Sequence, residues 1–128
     1  MRIQLKALFL TLLFFGVLSG CGGGGKEEGA LYAFKNAFIV NLAKEDSGIY
    51  LKVQMGVQVS NQSVLGEIGR LEFKVRDKIN YILSRQSLKS VSTDSGKDNV
   101  KREIKEALNK VLETGEVSEI YFYEFVSQ

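Results

Sequence analysis

The chain has no histidine, no proline and no tryptophan, and a single cysteine, Cys21, in 128 residues. Each absence closes a class of chemistry. Without histidine there is no Ser–His–acid triad and no thiol–imidazole pair, and one cysteine gives neither an internal disulfide nor a Cys/His zinc set. Serines gather at Ser84, Ser87, Ser90, Ser92 and Ser95, but nothing in the pattern supports a Ser–Lys nucleophile. "STDSGKDN" lacks the glycine five places before Gly96 that a phosphate loop uses. Lys105 stands where a calcium loop opening at Asp94 needs its glutamate. The stretch reads as a helix start. No catalytic residue, cofactor or metal site, and no small-molecule substrate, emerges.

Charge of one sign is also missing. The formal net charge of +2 comes from Arg2 and Lys6; without them the chain balances at 15 cations and 15 anions. A near-neutral domain lacks the basic field that nucleic-acid binding uses. At 45% hydrophobic and 25% charged, the composition is that of one small globular domain.

What is present begins with a leader. MRIQLK carries two positive charges, residues 7–18 (ALFLTLLFFGVL) are almost wholly apolar, and Ser19 and Gly20 follow. This is the layout of a secretory signal, and the apolar run falls short of the ~20 residues that span a bilayer as a helix. Leu18-Ser19-Gly20 before Cys21 resembles the bacterial lipobox. That resemblance implies cleavage after residue 20 and attachment of lipid to Cys21; an uncleaved signal anchor is the alternative. Several acyl chains at ~0.8 kcal/mol per buried CH₂ hold a protein to a membrane where one does not. Residues 21–33 then read as the lipidated cysteine and a glycine-rich tether, about ten flexible residues with an r.m.s. reach of roughly 17 Å. The folded domain is expected over 34–128.

Within it, "NAFIVNL" places Phe38, Val40 and Leu42 on one side, and "GIYLKVQMGVQVS" alternates strictly from Ile49 to Val59, the pattern of a half-buried sheet. "AKEDSG" between them has turn chemistry, which makes a hairpin. The apolar period then changes to a helical stripe, Val64, Leu65, Ile68, Leu71, Val75, Ile79, Ile82 and Leu83, capped by Ser60 or Asn61. Gly66 and Gly69 inside it suggest frayed or closely packed first turns. A second stripe runs through Val100, Ile104, Ala107, Leu108, Val111 and Leu112, with Thr93 as cap and Gly115 as stop. "EVSEIYFYEFVSQ" closes the chain as a strand. The order is β-β-α-α-β, an α+β fold with two amphipathic helices on one face of a three-stranded sheet and at least one open edge. Tyr121 and Tyr123, on the strand face away from the core, are the candidate partner contacts.

"FIVNL" (38–42), "YLKV" (50–53), "RDKINYILS" (76–84), "SGK" (95–97) and "VSEIYFYEFVSQ" (117–128) resemble, in order and spacing, the FliL family of flagellar basal-body-associated proteins. The resemblance implies a stomatin-like, non-enzymatic periplasmic domain that forms homo-oligomeric rings at the motor stator and supports flagellar rotation and motility. It further implies that Arg76 and Asp77, which match the family's helix pair, form an intersubunit or structural ion pair; an exposed charge pair within the helix is the plainer reading. Three features depart from the family pattern: a lipobox replaces the usual transmembrane helix, Ala37 lies near the usual proline, and Tyr123 stands where threonine is common. The family implies the inner membrane, whereas Gly22 after Cys21 in place of Asp is compatible with the outer one. A lipoprotein binding or adaptor module of the envelope, unrelated to flagella, is the alternative function.

Overall fold

The computed structural model describes residues 29–128. The leader, Cys21 and its glycines lie outside them. The described chain forms β1 (Ala30–Ala33), β2 (Phe38–Asn41), β3 (Tyr50–Val59), α1 (Gln62–Arg70), α2 (Glu72–Ser84), α3 (Leu88–Val91), α4 (Asp94–Asn109) and β4 (Val117–Ser127).

β3 is the centre of an antiparallel sheet. β4 pairs along it from Leu51 to Val59, while β2 takes residues 50–53 and β1 residues 56–59. Because β4 fills one edge of β3, β1 and β2 lie end to end on the other. The sheet has four strands but is three ribbons wide, with one border interrupted at Lys35–Ala37. β1 occupies Ala30–Ala33, positions expected in the tether, so this strand belongs to the folded domain instead. Its four residues, ALYA, alternate between half-buried and exposed. That pattern is too short for periodicity to register when the glycine-rich stretch precedes it.

Alternation in β3 does what the sequence implies: Leu51, Val53, Met55, Val57 and Val59 are fully buried. They meet the helical stripes, in which Val64, Ile68, Val75, Ile79, Leu83, Val100, Ile104 and Leu108 are also fully buried. The turn between β2 and β3 is a short 3-10 turn at Lys44–Asp46, closed by Gly48 at φ +96°, a conformation that favours glycine.

The first helical stripe is two helices, not one, broken at Leu71 (φ −100°, ψ 17°). The break falls two residues after Gly69, where intrinsic helix preference is weakest. Asn61 is the cap, its side chain accepting from the amides of Ser63 and Val64 at 2.9 and 3.3 Å. Gly66 and Gly69 are not closely packed: a Cβ on either would meet nothing within 4 Å.

In the joint after α2, Ser87 and Ser90 form a capping box that starts α3, and the Asp46 carboxylate accepts from the Leu88 amide at 2.7 Å. The serines of this joint serve the backbone. Thr93 caps α4 by accepting from the Gly96 amide at 3.0 Å. The helix ends at Asn109, short of Gly115, and the Asn109 side chain pairs with the first residue of β4. It accepts from the Val117 amide at 2.7 Å and donates to the Val117 carbonyl at 3.1 Å. Gly115 is needed for close approach instead, since a Cβ there would lie 2.5 Å from Ser60 Oγ and 2.7 Å from Val64 Cγ2.

Candidate interaction surface

The helices cover one face of the sheet, so the even-numbered residues of β3 and their cross-strand neighbours form the other face. One row is Ile39–Lys52–Val126, another Ala33–Gly56–Tyr121 and a third Leu31–Gln58–Glu119. Eight large apolar side chains are exposed among the described residues, and Leu31, Ile39, Tyr50, Tyr121, Tyr123 and Val126 all stand on this face. Exposed apolar residues are ordinary when scattered; six on one sheet face are not scattered. Tyrosine offers apolar area with a hydrogen-bonding tip and few rotatable bonds, which suits protein contact.

β4 carries two irregularities that aim this surface. Its register with β3 shifts between Gln54 and Met55 and again between Gln58 and Val59, leaving Tyr123 and Ser118 as extra residues. The Tyr123 ring then folds back across Gly56, where a Cβ would collide with its hydroxyl. Tyr123 is 54% exposed and Tyr121 42%, so both present surface to solvent. Charge on the face is limited and locally paired: Lys52 Nζ donates to Glu124 Oε1 at 3.1 Å, while Glu119 stands at the other end of the face, opposite Gln58. The far edge of β4 has no partner strand among the described residues.

Arg76 and Asp77 lie on α2, the second helix, and the structure separates their roles. Arg76 donates from Nη1 to the Asn36 carbonyl and from Nη2 to the Ala37 carbonyl, both at 3.1 Å, and its guanidinium stacks 4.2 Å above the Phe38 ring. It therefore bridges the interruption between β1 and β2, satisfying carbonyls that no strand partner reaches. The ion pairs among the described residues are Lys52–Glu124 and Arg85–Glu103, so Arg76 and Asp77 do not pair within the chain. Asp77 is exposed, between Phe73 and Tyr81 on the same stripe of α2; Phe73 is 91% exposed.

The sequence reading missed Glu67. It is a buried carboxylate on α1 that accepts from the amides of Glu113 and Thr114 at 2.8 and 2.9 Å and from the Thr114 hydroxyl. The Thr114 hydroxyl and amide, assisted by the Glu113 amide, hold its pKa below the ordinary 4.5 against the opposing effect of burial. The signal was available: Glu67 falls beside Ile68 on the apolar side of α1, out of place for a solvated charge. Tyr32 is tied similarly, its hydroxyl donating to Glu72 at 3.1 Å; burial, then that carboxylate, push its pKa up.

Cys21, the expected lipidation point, lies outside the described residues. No described helix is long and apolar enough to cross a membrane.

Known proteins give a consistent comparison. A family model described as flagellar basal body-associated protein FliL matches residues 31–128. The flagellar protein FliL of Aquifex aeolicus is 35% identical over 102 residues, 80% of this chain and 63% of that one. That of Bacillus subtilis is 26% identical over 64% of this chain and 57% of its own length. That of Borreliella burgdorferi is 30% identical over 55% of this chain and 38% of its own. The chain thus spans less than two thirds of the length of these relatives.

Proposed function

The chain belongs to the FliL family of flagellar basal-body-associated proteins, and on that footing we propose that it is a non-enzymatic, membrane-tethered basal-body component that associates with the motor stator and supports flagellar rotation and motility. It does so as a periplasmic domain, held by lipid on Cys21 and assembled with copies of itself into a ring. The observation that carries contact as its mode of action is the sheet face that the described helices leave uncovered, where six large apolar side chains gather beside a strand edge unpaired among the described residues. Heterologous contacts of one kind, repeated, close into rings when the rotation between neighbours allows.

The test places a photo-crosslinking phenylalanine analogue at Tyr121 in cells. Adducts with stator or other basal-body subunits, or with another copy of this chain, are the expected outcome. Adducts confined to envelope proteins unrelated to flagella would replace this reading with an adaptor role. For the anchor, labelled palmitate enters the wild type and not Cys21→Ser; incorporation into both would refute lipidation at Cys21.

A further inference from the structure

On the opposite side of the molecule from the sheet face, α2 and α4 flank a groove of about 510 Å³, within the roughly 300–1,000 Å³ common for binding sites. Its floor is apolar, from Ile82, Ala107 and Val111, with the half-open ring of Tyr81 on the rim. One end is barred by Arg85, which donates to Glu103 at 3.5 Å and stacks on Tyr81 at 4.9 Å. From that bar, Lys78 and Lys74 stand about two and three turns back along α2, and Lys110 about two turns on along α4.

None of these three lysines takes part in an ion pair among the described residues. With Arg85 and Glu103 occupied by each other, the unpaired charges of the groove are three lysines against Glu106. The walls are therefore basic along a groove about three turns long, with the apolar patch of Ile82, Ala107 and Val111 in its floor. That shape matches one mode of recognition, in which an amphipathic helix lays its apolar stripe between two others. Charge selects its flanks: lysines brought close to a like-charged segment repel it, and to an acidic one attract it.

We propose that the α2–α4 groove is a docking site for an acidic amphipathic helix of a partner protein, about three turns long. Its apolar residues face Ile82, Ala107 and Val111, and its carboxylates meet Lys74, Lys78 and Lys110. This surface is separate from the sheet face, and the inference does not depend on what that face contacts.

The experiment uses the full chain in its own cells, with a photo-crosslinking phenylalanine analogue replacing Tyr81 and, as control, Phe73, which is exposed but does not line the groove. Crosslinked peptides are identified by mass spectrometry. The expected result is an adduct from Tyr81, and not from Phe73, on a segment of another protein that has a helical apolar period and net negative charge. Its yield falls at least fivefold in Lys74→Glu/Lys78→Glu and stays near the original in Lys74→Arg/Lys78→Arg. Thermal melts of both variants establish that they fold. An adduct on a basic or uncharged segment, on a copy of this chain or on lipid overturns the proposal, as does no adduct or a yield indifferent to charge reversal. Because the readout is at Tyr81, failure here leaves a positive result at Tyr121 standing.

Discussion

At the residue scale, two side chains hold segments that secondary structure alone would leave loose. Glu67 gathers three donors from residues 113–114 and so fixes the loop that delivers β4. Charge-assisted hydrogen bonds of this kind contribute about 1.5–3 kcal/mol each in favourable settings, and removing the charge keeps only part of that. Glu67→Gln is expected to lower stability by about 2 kcal/mol, measured by denaturant unfolding at neutral pH. Because folding depresses this carboxyl's pKa, its contribution is complete above the ordinary value of 4.5 and is lost as pH falls through the lower, folded-state value. The wild type should therefore lose stability on acidification over that range more steeply than Glu67→Gln; parallel acid profiles would remove Glu67 from this role.

Arg76 is the second such residue. Its planar fork reaches two successive carbonyls, which a lysine cannot reproduce. Arg76→Lys should leave the fold intact but speed amide hydrogen exchange in β1 more than in β2, since β2 buries Phe38 and Val40 whereas β1 buries no residue fully. Equal exchange in both strands would show that the clamp does not hold β1. The Arg–Asp sequence invited reading as an ion pair. What the residues cannot reveal is that the strand facing Arg76 is interrupted, because that depends on which half of β3 each short strand takes.

At the element scale, the long periodic segments were legible and the short or broken ones were not. β3 and α4 repeat their period often enough to fix both type and buried face; Thr93 declared itself as a cap by chemistry, while Ser60 and Asn61 were equally eligible for the first cap and the structure selects Asn61. β1, at four residues, and α3, at four, carry too little pattern to stand out from a tether and a polar joint. The break at Leu71 leaves the apolar spacing undisturbed, so the stripe ran on through it. Gly115 was read as a helix stop because glycine commonly is one, whereas the helix already ends at Asn109 and the glycine makes room for Ser60 and Val64.

The glycines give a paired prediction at this scale. Gly66→Ala and Gly69→Ala place a methyl in open space on a helix, and each should raise stability by about 0.5–1 kcal/mol. Gly115→Ala drives its methyl into Ser60, Asn61 and Val64 and should lower stability. Thermal melts of the three variants check the signs. A destabilised Gly66→Ala would mean that something beyond the described residues covers α1.

At the scale of the whole molecule, the two faces of the sheet divide the work. One is sealed by helices and contributes the core, and the other is left uncovered by the described residues, with tyrosines and aliphatics gathered on it. The sequence made the division readable through alternation in β3, and it placed Tyr121 and Tyr123 on the outer side. It did not show that Leu31 joins them, because β1 was unseen, or that a bulge turns Tyr123 across Gly56.

Membership of the FliL family gives this face a setting at the flagellar basal body, and the central claim is that the domain acts there through it. The most direct measurement is swimming speed in media of rising viscosity, for a deletion strain complemented with wild type or with Ile39→Asp/Tyr121→Asp. Both substituted residues are exposed on the sheet face away from the core, so folding, checked by melting, should persist, as should the proposed membrane attachment, checked by fractionation. The account predicts near-normal swimming at low load and a loss at high load that matches the deletion; wild-type speed at every viscosity would contradict it.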